Sequence, residues 1–419
     1  MAELKTKPDI RFTGFTDAWE QRKLDSVFEP IPNNTLSRAD LNYIAGNIKN
    51  VHYGDILIKY GAVTDCKTDV IPFITEAEIL DYRSLLLQNG DVLIADAAED
   101  ETVGKATEIA GISGVPVVAG LHTIACRPKV KMQPYYLGYY MNSPSFHRQL
   151  LPLMQGIKVL SISRTNLTKT TVFYPASERE QSQIGKLFAA LDHLITLHQR
   201  EYDKTVNIKK AMLEKMFPKD GADKPEIRFA GFTDAWEQRK VSDLVTPIVR
   251  EVPKPTEPYD KISVRSHAKG TFHQRIENPD TVAMDKLFVV KENDLIVNIT
   301  FAWEHAIAVA TINDDGLLVS HRFPTYIMNN SDVGFMKYVV SQEGFRRKME
   351  LISPGGAGRN RVLDKKGFLN IEVIAPNKIG EQNKIGNVFL ELDRLITLHQ
   401  RELEKLQNMK KALLEKMFV

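Results

Sequence analysis

Apolar positions follow an uninterrupted helical period in two stretches of the chain. In Glu180–Phe217 one stripe holds Ile184, Leu191, His198, Thr205 and Met212. Leu187, Leu194 and Ile208 flank it on one side, and Phe188, Ile195, Tyr202 and Met216 on the other. In Glu381–Phe418 the stripe holds Ile385, Leu392, His399, Leu406 and Leu413, flanked by Val388, Leu395, Met409 and by Phe389, Ile396, Leu403, Met417. Such a pattern predicts a long helix that must pack on a partner, and the natural partner of each copy is the other. Leu191, Leu194, Ile195, Leu392, Leu395 and Ile396 are the expected packing positions. His198 and His399 fall at equivalent places on the seam, where one polar residue per helix can fix register; projection into water at the stripe edge is the alternative. Ser177 followed by Glu180 is a capping-box pattern at the first helix start. Pro218-Lys219-Asp220-Gly221 ends it. At ~1.5 Å per residue each helix is a rod of roughly 57 Å.

Elsewhere the apolar runs are short. Strand-length runs fall at Asp55–Lys59, Val92–Ala95, Val115–Val118, Thr123–Cys126 and Thr171–Phe173. In the second half they fall at Lys286–Val290, Leu295–Ile299, Ala306–Ala310, Leu317–Val319 and Ile371–Ile374. Tyr135–Met141 and Phe335–Val340 read as short amphipathic helices. The globular parts are therefore mixed α/β.

The chain is also written twice. Ile10–Lys23, with Arg11-Phe12-Thr13-Gly14-Phe15 and Trp19, returns as Ile227–Lys240 with Thr13 replaced by Ala230. Leu194–Glu201 returns unchanged as Leu395–Glu402, and Leu213–Phe217 returns as Leu414–Phe418. Fainter echoes lie between. Asn89-Gly90-Asp91 parallels Glu292-Asn293-Asp294, His122 parallels His321, Phe146-His147-Arg148 parallels Phe345-Arg346-Arg347, and Pro175 parallels Pro376. A duplicated frame with two diverged globular parts accounts for this.

Composition narrows the class. The 419 residues are 43% hydrophobic and 26% charged, which is a folded, core-forming chain. Lys+Arg is 55 and Asp+Glu is 53, so any nucleic-acid-binding surface must be local. Cys66 and Cys126 lack zinc spacing and are expected as buried thiols. The first residues lack the apolar stretch of a signal peptide, and no run suits a membrane span, so the expected location is the cytoplasm.

The near-neutral total hides an asymmetry. Ile109–Ser177 contains no Asp or Glu, yet carries Arg127, Lys129, Lys131, Arg148, Lys158, Arg164 and Lys169. One strongly positive face is expected there. In the second half Arg346-Arg347-Lys348 is followed by Ser353-Pro354-Gly355-Gly356-Ala357-Gly358-Arg359-Asn360-Arg361. Glycines let backbone N–H groups approach phosphates, Arg can pair with guanine O6 and N7, and Asn with adenine N6 and N7. The DNA-contact candidates are thus Arg148, Lys158, Arg164, Asn166 and Lys169 in the first half. In the second they are Arg346, Arg347, Arg359, Asn360 and Arg361. Solvated charge on loops is the competing account of any one of them.

Catalytic signatures are missing. Gly104-Lys105-Ala106 lacks P-loop spacing, Glu304-His305 is no HExxH, and no GxSxG occurs. Asn278-Pro279-Asp280 only approaches the adenine-holding motif of amino-methyltransferases. His122 and His321 are expected as half-buried strand residues with locally satisfied rings.

The chain resembles the specificity (S) subunits of type I restriction–modification systems. The resemblance covers nearly the whole sequence. It rests on Arg11-Phe12-x-Gly14-Phe15-x-x-x-Trp19 and its copy at Arg228–Trp236. It rests equally on Pro175…Glu180-Gln181…Ile184 leading to Leu213–Phe217, and Pro376…Glu381-Gln382…Ile385 leading to Phe418. The implied fold is α+β. Two mixed α/β target-recognition domains alternate with two long helices, which pack as an antiparallel coiled coil with pseudo-twofold duplication. The expected boundaries are 1–177, 178–217 (helix), 218–226 (linker), 227–376 and 377–419 (helix). The resemblance implies that each globular domain reads one half of a split double-stranded DNA site, while the helices set the gap. It implies partners: two adenine N6 methyltransferase subunits and restriction/translocase subunits. S-adenosylmethionine, ATP and Mg belong to those partners, and this chain holds no cofactor, metal or catalytic residue. A stand-alone DNA-binding regulator on the same frame is the alternative.

Overall fold

The computed structural model describes residues 6–219, 222–355 and 361–419. The chain divides into two compact units, one of Met1–Gln199 with Arg401–Val419 and one of Arg200–Gln400. The division falls inside both long helices, Glu178–Lys215 and Ile379–Lys416. Each unit therefore owns the start of one helix and the end of the other.

In the first unit Ile184, Phe188 and Leu191 are buried in one core with Leu406, Met417 and Phe418. Phe188 stacks on Phe418 with ring centroids 5.6 Å apart, and Asp192 Oδ1 receives Lys410 Nζ at 2.5 Å. Numbers rise along one helix as they fall along the other, so the packing is antiparallel. The second unit repeats it. Ile385 and Phe389 share a core with Met216 and Phe217; Phe217 lies 5.9 Å from Phe389, and Lys209 Nζ reaches Asp393 Oδ1 at 2.5 Å. The seam in the first unit follows Ile184, Phe188, Leu191 and Ile195, whereas Leu194 stays 42% exposed. In the second unit Leu392 packs on the core. His198, Leu395, Ile396 and His399 are half-buried.

The duplicated opening has a structural reason. Its last four residues are a strand: Glu20–Lys23 pairs antiparallel with Thr171–Tyr174, the strand that enters the long helix. Glu237–Lys240 pairs with Glu372–Ala375 in the same way. Trp19 then seals the core against Tyr136 and Phe418, as Trp236 does against Phe335 and Phe217. Burying an aromatic ring of this size contributes about 1.5–3 kcal/mol.

Each globular part holds a sheet built around one hairpin. In the first unit the order is Phe28–Ile31, Thr123–Pro128, Val92–Ala95, Ala106–Ala110 and Val63–Asp65, with the last pair parallel. In the second unit it is Val245–Ile248, Thr325–Met328, Leu295–Val297 and Ile307–Val309, all antiparallel. Each unit adds a further sheet, four-stranded in the first and five-stranded in the second.

Most predicted elements occur within a residue or two of their expected ends. Asp55–Lys59 is a correction: Asp55–Ile58 lies within the helix Tyr53–Ile58, with Lys59 as its C-cap, and is not a strand. His52 Nδ1 accepts from the Gly54 amide at the helix start, and the buried Asp55 carboxylate receives Arg38 at 2.7 and 3.0 Å. A five-residue apolar run has no period of its own to decide the matter. The capping box is half correct. The Glu180 amide donates to Ser177 Oγ at 3.4 Å, but the Glu180 carboxylate is occupied by Arg11 and Trp19.

Candidate nucleic-acid interface

The site is built on the two central hairpins. Each is entered through a turn closed by a buried aspartate. Asp91 Oδ2 accepts from the Gln88 amide at 2.6 Å, and the carboxylate takes Nε and Nη2 of Arg127 at 2.9 and 2.8 Å. Asp294 accepts from the Lys291 amide at 2.8 Å and from Arg250 at 2.5 and 3.1 Å. This explains the Asn-Gly-Asp and Asn-Asp echo in the sequence.

At the opposite end of each hairpin three loops are tied together by the same pair of backbone hydrogen bonds. In the first unit the Asp96 amide donates to His122 O at 3.1 Å, and the Ile162 amide donates to Asp96 O at 2.8 Å. In the second the Ile299 amide donates to Arg322 O at 3.0 Å, and the Leu363 amide donates to Ile299 O at 2.9 Å. The clusters are 96–105, 120–123 and 153–164 in one unit, and 298–306, 320–324, 352–355 and 361–365 in the other. By this pattern His122 corresponds to Arg322, one residue from the sequence-based pairing with His321.

His122 is not a half-buried strand residue. It sits on a turn with φ +54° before the strand Thr123–Pro128, and its side chain is 50% exposed. Its Nδ1 lies 3.1 Å from Asp96 Oδ1, and its ring meets Tyr53 edge-on at 5.2 Å. His321 is exposed.

The positive face expected from Ile109–Ser177 is broken up in part, because acids from elsewhere in the unit meet three of its seven cations. Arg127 pairs with Asp91, Lys131 with Glu178 and Arg148 with Glu415. Arg164 Nη2 donates to Ile31 O, Lys129 to Asp25 O, and Lys169 to Asn166 Oδ1. These three keep their charge without an acid partner among the described residues. Asn166 also donates to Leu153 O at 3.2 Å. Lys158 is exposed near the tip of the third loop.

In the second unit Arg346 is held by Glu343 and Glu350, and Arg347 lies 3.5 Å from Glu343. The Arg346 bond, with both arginine charges, holds the Glu343 carboxyl down at about 2. Arg361 contacts Glu350 at 3.6 Å and lies over the Trp303 ring at 5.4 Å. Arg359 and Asn360 lie outside the described residues. Among the cations that sequence singled out, Lys158, Arg164 and Arg361 thus lie on the paired clusters, Arg361 beside Glu350, whereas Arg148, Arg346 and Arg347 lie on helices and meet carboxylates.

Sequence reasoning missed the apolar members. Ile157 is 100% exposed and Val159 54%, on a tip closed by mutual amide bonds between Gln155 and Ser161 at 2.9 and 2.8 Å. Gly156 makes that tip: its φ is +115°, and a Cβ there would meet Val159 O at 2.0 Å. Phe301, on the hairpin loop of the second unit, is 46% exposed. The available signal was an aromatic or β-branched residue inside a turn, where polar residues are the rule. Cys66 and Cys126 are buried free thiols, and burial pushes them up to about 11 and about 12. Among the described residues no cluster of His, Cys, Asp and Glu could hold a metal, and no helix is long and apolar enough to cross a membrane.

One frame used twice, with differing loop clusters at matching places, defines a duplicated recognition protein. Residues 16–205 match the family model of the type I restriction modification DNA specificity domain. A type I restriction enzyme specificity subunit of Methanocaldococcus jannaschii is 23% identical over 416 residues, covering 94% of this chain and 92% of its own. The crystal structure of the type I restriction–modification S subunit from M. genitalium superposes with a TM-score of 0.60 at 13% identity, covering 99% of both chains. Residues 16–205 therefore carry the type I restriction modification DNA specificity domain, and over nearly its whole length the chain is similar to type I specificity subunits, a family that is the non-catalytic DNA-recognition component of these systems.

Proposed function

We propose that each unit reads one half of a split, non-palindromic double-stranded DNA site through its three-loop cluster. The observation that carries this is the equivalence of the clusters: the same backbone bonds at Asp96 and Ile299 hold side chains of different chemistry. A shared scaffold with unlike readers suits two unlike half-sites. Lys158, Arg164, Asn166 and Lys169 contact the first half-site, and Arg361, with Arg359 and Asn360, the second. The acid-bound Arg148, Arg346 and Arg347 contribute less. Phosphate contacts fix register, and base-edge contacts fix sequence.

The long helices set the gap between half-sites, and two modification subunits dock on them. Those subunits carry S-adenosylmethionine and methylate adenine N6; restriction subunits add ATP- and Mg-dependent cleavage. This chain supplies the address. Mapping methylated adenines in DNA from cells that hold the chain with its modification partner tests the proposal. The expected result is a bipartite motif whose second half alone changes when the second globular part is exchanged. Methyl transfer or cleavage by the isolated chain would defeat it.

A further inference from the structure

The second unit's cluster carries a feature that basic residues alone do not explain. Trp303 stands on the loop between Leu295–Val297 and Ile307–Val309, two residues from the exposed Phe301. The Arg361 guanidinium lies over the Trp303 ring at 5.4 Å and touches Glu350 at 3.6 Å. A ring face on one side and a carboxylate on the other restrict where the guanidinium fork can point. Arg322 borders the same loop, its Nη1 donating to Thr300 Oγ1 at 3.3 Å. The nearby acids are engaged: Glu304 accepts from Ser266 at 2.6 Å, and Asp364 accepts from the Lys366 amide at 2.9 Å. The surface therefore offers two arginines around an exposed phenyl ring.

We infer that Arg361, oriented by Trp303, reads a guanine in the second half-site, and that Phe301 packs on a thymine methyl beside it. The chemistry fits a duplex major groove. Guanine O6 and N7 accept two parallel N–H bonds from a guanidinium, and the thymine methyl is the apolar group that a phenyl ring can recognise there. A guanidinium already restrained loses less freedom on binding than a free one. Arg361 and Phe301 are base-contact residues in this reading, and Trp303 is a positioning residue. The inference rests on the proposed division of half-sites between units.

The test uses the full chain with its modification subunits and reads the methylated motif. Arg361→Ala is expected to relax one guanine position of the second half-site, lowering discrimination by about 5- to 150-fold. Phe301→Ala relaxes a neighbouring thymine. Trp303→Ala reproduces the Arg361→Ala motif, and Trp303→Phe restores the guanine. Arg275→Ala, on a different strand, leaves the motif intact. The unchanged first half-site reports that each variant is folded and assembled. An unaltered second half-site in Arg361→Ala and Phe301→Ala overturns the inference. If exchanging the whole second globular part still changes that half-site, the failure belongs to these residues alone; if the exchange changes nothing, the division of half-sites has failed instead.

Discussion

Glu180 holds Arg11 through Nε at 2.6 Å and Nη2 at 2.8 Å, and Glu381 holds Arg228 at the same two distances. Each carboxylate also accepts from a buried indole, Trp19 at 3.4 Å and Trp236 at 3.3 Å. The Arg-Phe-x-Gly-Phe opening and the helix start are thus two ends of one clamp. The clamp sits at the root of each long helix, between the helix and the globular part it serves.

Removing one partner of such a buried pair strands the other. Glu180→Ala is expected to cost about 3–5 kcal/mol, and Glu381→Ala a similar amount, because the surroundings match. Denaturant unfolding followed by tryptophan fluorescence checks both. A wide disparity between the two would show that the copies are not energetically equivalent.

The aromatic cradles make a second matched pair. Phe418 lies against Trp19, Tyr136, Tyr140 and Phe188, and Phe217 against Trp236, Phe335 and Phe389. Phe418→Ala and Phe217→Ala should each destabilise by about 3–5 kcal/mol, with Leu recovering part of the loss. Calorimetric melting of the variants provides the measurement.

Glu108 makes the first unit sensitive to pH. Its carboxylate is buried and accepts from the Tyr135 and Gly138 amides at 2.6 and 3.0 Å. Burial outweighs those bonds and raises it to about 7. The folded state then holds a proton that the unfolded chain has already released, so stability falls as pH rises from the usual glutamate range towards 7. The loss is on the order of 3 kcal/mol. Glu108→Gln should flatten this part of the stability–pH curve. An unchanged slope would assign it to other groups.

The frame was legible because it is periodic and repeated. A helical stripe extending over the whole of Glu178–Lys215 leaves little choice of conformation, and the second copy confirms the reading within the same chain. Partners distant in sequence were not legible. Nothing local reveals that Glu180 bonds to a residue 169 positions away and not to its own helix start. The same distance effect thinned the positive segment: Arg148 meets Glu415 from the end of the other long helix. Composition along a stretch cannot register charge that folding brings to it. Ile157 escaped for a different reason, since a loop read for its cations gives no weight to an apolar neighbour until the tip at Gly156 is seen to leave it fully exposed.

That exposure supports a prediction on the first unit. Ile157 has no core to lose, so Ile157→Ser should leave the melting temperature unchanged while weakening DNA binding. Gly156→Ala meets Val159 O and should distort the tip, with a comparable loss in DNA binding. Equal DNA affinity in Ile157→Ser and the parent chain would remove the tip from the interface.

Salt dependence separates the cations that folding has already matched with acids from those left for phosphate. Lys158 is exposed, and Arg164 donates only to a backbone carbonyl among its described contacts. Each contact with a phosphate releases counterions, so Lys158→Ala or Arg164→Ala should lower the slope of log affinity against log salt by about one. Arg148 and Arg347 face Glu415 and Glu343. Replacing either with Ala removes a cation but also frees a carboxylate, so affinity falls without the loss of a full unit of slope. Titrating the assembled complex against one duplex across a range of salt concentrations reads both groups. A full unit lost in Arg148→Ala, with none in Lys158→Ala, would reverse the assignment and place the DNA along the helix Pro144–Leu150.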